Sequence, residues 1–178
     1  MRAPTRKPNG FALIDLIFVI GMIGVLSAIA FPRLMLAKHS AGAASAIGSL
    51  RAISSAQLTF ALTCGAGFYA PNLTTLGTPP PASVVGFISP TLGTADTVTR
   101  GNFIITMQAT PFPGAPASCN GVAFGGAGQA FKAAADPAYP PFRRYFAVNA
   151  NAQIWEHTAS LLAVMPEAGE PPVGFVLR

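Results

Sequence analysis

Residues 11–31 form an apolar run that contains one carboxylate, Asp15, and follows a short basic leader. A run of this length can cross a bilayer as a helix, which takes roughly 20 residues. A carboxylate within the hydrocarbon costs roughly 2.5–3.5 kcal/mol on insertion scales, so a plain anchor would avoid it. The run therefore predicts a membrane-spanning helix with one functional acid near its start.

Composition and charge limit what the rest of the chain does. Of the 178 residues, 10% are charged and 51% are hydrophobic, which fits a membrane-linked or assembling protein better than a free soluble enzyme. Arg2, Arg6 and Lys7 carry much of the positive charge and stand in the leader. A nucleic-acid surface needs clustered Lys and Arg, and the remainder offers only the neighbours Arg143 and Arg144. We expect one modest domain beside the span and no nucleic-acid partner.

The N-terminus has two interpretations on its residues alone. An ordinary secretory signal has an apolar core of about 7–15 residues, followed by a cleavage site of small residues. The run here is longer than such a core, although Ala28 and Ala30 supply small residues near its end. A cut between Gly10 and Phe11 would instead keep the whole apolar segment in the mature protein.

The residues around Gly10 carry a more specific signal. Residues 7–10 read Lys-Pro-Asn-Gly and residues 11–15 read Phe-Ala-Leu-Ile-Asp, which resembles the prepilin signature of type IV pilins and type II secretion pseudopilins. That family has a short basic leader ending in Gly, then Phe, then an apolar run with an acid at its fifth position. Gly10, Phe11 and Asp15 occupy those places. The family's acid is usually Glu, so Asp15 is a departure that keeps the charge and shortens the reach by one methylene.

The resemblance implies a function without catalysis or cofactors. It implies that a prepilin peptidase cleaves between Gly10 and Phe11 on the cytoplasmic side and that Phe11 is then N-methylated. The subunit would be stored in the inner membrane and polymerised with copies of itself by an assembly platform and its ATPase. The product would be a pilus at the cell surface or a periplasmic pseudopilus. Three basic residues precede the span and two, Arg33 and Lys38, follow it. This excess of one weakly favours a cytoplasmic leader, because positive residues tend to stay on that side.

Two further features of the run have a role in such a filament. Cleavage creates a positive amine on Phe11, and Asp15 could pair with that amine in an adjacent subunit, since neither charge is stable alone in an apolar core. The pair would specify the register between neighbouring subunits more than it would stabilise the filament. Gly21, Gly24 and Pro32, which matches a proline common in the family, interrupt the helix and favour local unwinding during assembly. The alternative is the ordinary tolerance of Gly and Pro in membrane helices.

Two rival functions stay open. Within the same family, a secretion pseudopilin or a minor pilin would carry the same N-terminal motif, so adhesion, motility and secretion are not separated. From another class, a single-span anchored periplasmic binding module would never polymerise. That module explains the helix, but not the combined positions of Gly10, Phe11 and Asp15.

The chain beyond the span predicts an α+β fold with a long N-terminal helix packed on a small antiparallel sheet. Residues 33–63 contain no proline, and the glycines after Cys64 predict the helix end. We expect a leader at 1–10, a filament-core half of the helix at 11–32, an amphipathic half at 33–64 and a globular region at 65–178. The predicted apolar stripe, with Arg51 and Gln57 off it, is Ile47, Leu50, Leu58, Ala61 and Leu62.

Three or four strands are predicted in the globular region. Residues 103–108 are rich in β-branched and aromatic side chains and predict a strand, and residues 129–133 predict a short one. Residues 144–149 and 152–157 predict a hairpin whose turn contains Asn151, because Asn suits positive φ. Residues 65–101 are predicted to be a long connection with one helical turn at 72–77, and the tail after residue 158 has no predicted structure.

Cys64 and Cys119 are the only cysteines. An even number in a domain exported across a membrane favours a disulfide, and the alternative is two buried thiols. No catalytic or metal constellation accompanies them. His39 and His157 lack ligand partners at metal spacing, Asp96 and Asp136 are isolated, and the late acids form no recognisable calcium loop. We therefore expect no enzyme, no metal and no cofactor.

Overall fold

The computed structural model describes residues 13–139 and 143–177, so Gly10 and Phe11 lie outside the described residues. The chain divides into an N-terminal unit, Met1–His39, and a C-terminal unit, Ser40–Arg178. Helix α1, Leu13–Thr63, contributes residues to both units. The architecture is α+β, because residues of α1 share one hydrophobic core with a six-stranded antiparallel sheet. The predicted helix-on-sheet, pilin-like class is confirmed.

The second part of α1 buries one face in the C-terminal unit. Its buried residues recur at helical spacing, with Leu50, Ile53 and Phe60 fully buried. The helix ends as predicted, since the N–H groups of Cys64 and Gly65 donate to the carbonyl of Phe60 at 2.9 and 2.8 Å. The residues that α1 buries here are Ala43, Ala46, Ser49, Leu50, Ile53, Ala56, Gln57, Phe60 and Ala61.

The predicted stripe on α1 is partly wrong. Leu58 and Leu62 are 55% and 76% exposed, whereas Gln57 is fully buried. The Gln57 amide explains the difference: Nε2 donates to the carbonyl of Ala70 at 2.8 Å, and Oε1 accepts from the Ala70 N–H at 2.8 Å. A buried polar group is tolerated when its hydrogen bonds are made, and a hydropathy pattern contains no information about those partners. Arg51 is exposed, as predicted.

The sheet has more strands than predicted and a simple meander order, β1 to β6, with every neighbouring pair antiparallel. A second helix, α2 (Leu73–Gly77), begins after Asn72, whose side chain accepts from the Thr75 N–H, so the predicted helical turn is confirmed. The strands are β1 (Thr97–Arg100), β2 (Phe103–Gln108), β3 (Lys132–Pro137), β4 (Tyr145–Asn149), β5 (Ile154–His157) and β6 (Phe175–Val176).

The two additional strands form for different reasons. β1 lies in the segment predicted to be a connection, and a two-residue turn joins it to β2, with φ of 58° at Gly101 and 66° at Asn102. Positive φ at both positions is the type I′ geometry that suits the twist of a hairpin. The Gly-Asn pair was therefore a readable signal. β6 has only two residues and exists because it pairs with β5.

The β4–β5 hairpin is confirmed, but its turn differs from the prediction. Among the residues of this turn, positive φ falls on Ala152, at 60°, and not on an asparagine. Asn149 is instead fully buried, and its amide donates to the carbonyls of Pro166 and Gly169 at 3.1 and 2.7 Å. Asn149 therefore fixes the tail of the chain, and its Oδ1 also accepts from the Asn151 N–H at 3.1 Å within the turn.

Both faces of the sheet are covered. One face carries Ile105, Phe146 and Val148 against α1. The other carries the small residues Ala134 and Ala147 beside Trp155, and Leu161 and Met165 pack there in a second cluster. Residues 158–169, which belong to the tail that the sequence left without a predicted structure, thus form a strap over the outer face. The small side chains leave room for the larger ones, since protein interiors are close-packed.

Candidate functional site

The N-terminal unit exposes the predicted membrane span. All described residues of α1 from 13 to 36 are exposed, including Leu13 at 75% and Leu36 at 69%. Within the described residues, α1 is the one helix long and apolar enough to cross a membrane. Twenty-four helical residues extend roughly 36 Å at 1.5 Å each, against a hydrocarbon core of about 30 Å. An exposed apolar surface of this size requires lipid or protein around it.

Asp15 lies in the first turn of α1 and is exposed. It has no hydrogen-bond or ion-pair partner among residues 13–139 and 143–177, since the described ion pair joins Arg144 and Glu156. An acid in the first turn interacts favourably with the positive end of the helix dipole, an effect of about 0.3–1 kcal/mol at a surface. The predicted amine partner belongs to Phe11, outside the described residues, so the pairing stays a prediction.

Helix α1 continues through Gly21, Gly24 and Pro32. A Cβ added at either glycine would meet no atom within 4 Å, so packing within this chain does not require them. Pro32 has no N–H, so α1 lacks one backbone hydrogen bond at that position. The three residues lower the stability of this part of the helix, and the predicted unwinding during assembly stays a prediction.

The predicted disulfide between Cys64 and Cys119 is present. It joins the end of α1 to the loop of residues 111–128, and the Cys119 N–H donates to the Cys64 carbonyl at 3.1 Å. Asn120 next to it donates to the carbonyls of Thr75 and Thr78 at 2.8 and 3.2 Å. The tether therefore fixes this Gly- and Pro-rich loop to both helices. No pattern in the sequence identified Asn120.

Acidic side chains of the C-terminal unit connect segments that are distant in the chain. Asp96 accepts from the hydroxyl of Thr74 at 2.6 Å and so holds the start of α2. Glu167 accepts from the N–H and hydroxyl of Thr110 at 2.8 and 2.7 Å, which attaches the strap. Asp96 is thus engaged, although the sequence made it look isolated. These acids have structural partners and are not gathered into a catalytic group.

Arg144, which directly precedes β4, forms a two-point ion pair with Glu156 of β5. Arg144 Nε and Nη2 lie 2.6 and 2.9 Å from the carboxylate oxygens, and the guanidinium lies 5.3 Å from the centroid of the Phe146 ring. The hydrogen bond that Arg144 donates to Glu156 raises the pKa of Arg144. Glu156 is 9% exposed, so the pair satisfies a carboxylate that the fold buries.

Asp136 is half-buried, and its Oδ1 is the one buried side-chain polar atom without a hydrogen-bond partner in the described part of the chain. The Ser160 hydroxyl donates to Oδ2 at 2.5 Å, which attaches the strap to β3, while Oδ1 is buried without a partner. Burial raises the pKa of Asp136 above its usual value, and the bond from Ser160 opposes that shift. The charged form of Asp136 is thus less favourable here than that of an exposed aspartate.

The described residues contain no group of three or more His, Cys, Asp or Glu side chains arranged to hold a metal ion. His39 lies on α1 and His157 on β5. Comparisons with protein-family models, curated proteins and solved structures find no match for this chain. The features of the chain that bear on function are therefore the N-terminal motif and the exposed apolar helix.

Proposed function

We propose that this chain is the structural subunit of a type IV pilus-like filament, made as a precursor and polymerised from the inner membrane. The observation that carries the proposal is the contrast between the two units. Residues 13–36 expose large apolar side chains all around α1, whereas the C-terminal unit buries its own core and closes its loop with a disulfide. A chain built this way needs apolar surroundings for one unit only.

Two environments supply those surroundings in turn. Before assembly, the bilayer surrounds residues 13–36, whose length fits the hydrocarbon core. After assembly, the same segment of other copies takes the place of lipid. Because lipid tails are as apolar as the side chains, this exchange has little hydrophobic driving force, and packing with polar contacts decides the register. Asp15, the single acid of the segment, is the natural source of such a contact.

The processing step supplies the partner for Asp15. Cleavage between Gly10 and Phe11 by a prepilin peptidase releases the basic leader and creates the amine on Phe11. An Asp15 carboxylate that has no partner among the described residues of its own chain is available to the amine of a neighbour. Unpaired charges in an apolar filament core are costly. A subunit inserted at the wrong height would leave both charges unpaired, so the pair selects one register.

Replacing Asp15 tests this function. We expect Asp15→Ala to reduce surface filaments at least tenfold while leaving leader cleavage intact, because the substitution removes the partner and not the cut site. Asp15→Glu is the matched control, since it restores the family's usual acid and should retain filaments. Electron microscopy of sheared filaments measures the yield, and mass spectrometry reads the N-terminus.

The same experiment distinguishes the rivals. Methylated Phe11 at the start of a sheared filament protein supports the proposal. Filament yield at the wild-type level from Asp15→Ala would contradict the role of the acid. An intact Met1 in membranes, with no filaments from the parent chain, would instead favour the anchored binding module. Periplasmic filaments that form only when a secretion system is overproduced would favour the pseudopilin.

A further inference from the structure

A cavity of about 340 Å³ lies within the C-terminal unit, between α1 and the β4–β5 hairpin. Ligand sites in proteins have volumes of about 300–1,000 Å³ and combine apolar walls with a few polar groups. This cavity is at the small end of that range, which favours a compact ligand over a long acyl chain. The residues of its wall that matter for recognition are Arg51, Leu58, Tyr69, Phe131, Val148 and Ile154.

The inner wall is aromatic and aliphatic. Tyr69 and Phe131 contact each other with ring centroids 5.2 Å apart and planes inclined at 52°. Phe131 is 2% exposed, and Val148 and Ile154 beside it are also buried, so these three side chains form a fixed floor behind the wall. The apolar side chains that a ligand can contact are those of Tyr69, which is half-buried, and Leu58, which is exposed. Aromatic rings favour tilted or edge-to-face neighbours. A flat apolar ring is the ligand group that such a wall accommodates best.

Arg51 supplies the one charge of the cavity wall. It is exposed and has no acidic partner among the described residues, in contrast to Arg144, which is paired with Glu156. Ser54 and Ser55 add hydroxyl groups on the same helix. A guanidinium binds a carboxylate through two parallel hydrogen bonds. The wall thus excludes cations, and a neutral ligand would leave its strongest donor unused.

We propose that this cavity binds a small aromatic monocarboxylate, with the ring against Tyr69 and Leu58 and the carboxylate on Arg51. The proposal does not depend on the filament function, because every residue of the cavity belongs to the C-terminal unit.

Ligand-observed ¹⁹F NMR of 4-fluorophenylacetate tests the proposal, with the full chain in nanodiscs of zwitterionic lipid and empty nanodiscs subtracted. We expect saturable binding that Arg51→Gln weakens about tenfold, since hydrogen bonds to charged groups are the strong ones. Arg143→Gln is the matched control, because Arg143 is another exposed cation and does not line the cavity. It should bind like the parent chain.

A second ligand separates recognition of charge from simple partition into an apolar space. On the parent chain, the neutral 4-fluorophenylacetamide should bind at least fivefold more weakly than the carboxylate. On Arg51→Gln, the two ligands should bind with equal affinity. Equal binding of the two ligands to the parent chain would overturn the proposal. So would equal weakening by Arg51→Gln and Arg143→Gln, or binding no greater than that of empty nanodiscs.

Discussion

Gln57 is the buried side chain whose removal should destabilise the C-terminal unit most informatively. It joins the last turns of α1 to the segment after the helix through both backbone groups of Ala70, and its Nε2 also lies 3.1 Å from Met107 Sδ. Gln57 and Ala70 are each fully buried. Water therefore cannot replace either hydrogen bond when the amide is removed.

The magnitude follows from what Gln57→Leu leaves behind. The Ala70 N–H and carbonyl would both be buried without partners, and each such group costs about 1–3 kcal/mol. The leucine recovers roughly 1 kcal/mol from its larger apolar surface. We expect a net loss of about 3 kcal/mol in the free energy of unfolding, a large part of the roughly 5–15 kcal/mol typical of a domain.

Urea unfolding of the full chain in detergent micelles measures this loss. Trp155 is the only tryptophan and is 7% exposed, so its fluorescence reports on the C-terminal unit alone. With an m-value of about 2 kcal/mol/M, the midpoint should fall by roughly 1.5 M. Thr59→Ala is the control, because Thr59 is an exposed residue of the same helix whose hydroxyl bonds only to the Ser55 carbonyl. It should change stability by less than about 0.5 kcal/mol.

A second variant, Gln57→Glu, tests the hydrogen-bond argument through pH. The protonated carboxyl accepts from the Ala70 N–H and donates to its carbonyl, so the variant should approach parent stability below the unfolded carboxyl pKa of about 4.3. Burial raises the pKa of the new acid in the folded chain. The stability of the variant is therefore lost as pH rises through this folded pKa. A penalty independent of pH, or a Gln57→Leu loss below 0.5 kcal/mol at pH 7, would refute the reasoning.

Two further predictions use the same urea assay. A Cβ at Gly42 would lie 2.6 Å from the Gly101 carbonyl oxygen, whereas one at Gly48 would meet nothing within 4 Å. We expect Gly42→Ala to destabilise by about 1 kcal/mol and Gly48→Ala to stabilise by about 0.5–1 kcal/mol through helix propensity; the same sign for both would contradict the contact. Burial raises the pKa of Asp136 in the folded chain, so this residue makes its full contribution to the free energy of unfolding below the unfolded pKa of about 3.9. That contribution is lost as pH rises through the folded pKa. The stability of the parent chain relative to Asp136→Asn should therefore fall as pH rises from 3 to 7, and a constant difference would exclude this effect.

Signals that depend on neighbours in the chain were readable in advance. The end of α1 was predicted from glycines, one helical turn was predicted at residues 72–77, and the β4–β5 hairpin was predicted from two strand-like segments close in sequence. The β1–β2 turn was equally local, since Gly101 and Asn102 both adopt the positive φ that their residue types favour. Its omission reflects a missed signal and not a limit of the sequence.

The candidate functional residues divide in the same way. Asp15 and the apolar run around it are features of a contiguous segment, and residues 13–36 are exposed in the structure as a span requires. The aromatic cavity brings Arg51, Tyr69, Phe131 and Val148 together from separate segments. No local pattern predicts such a cavity, because its walls meet only when α1 packs on the sheet.

Residue type, spacing and the expectation of export were enough to predict the membrane-length helix, the acid within it, the α+β class and the paired cysteines. Tertiary structure alone decided that Gln57 and Asn149 are buried, that the strap covers the outer face, and that β6 exists. The physical reason is that a polar group is buried only where a partner from a distant segment satisfies it. Hydropathy along the chain records the cost of burying that group and does not identify the partner that offsets it.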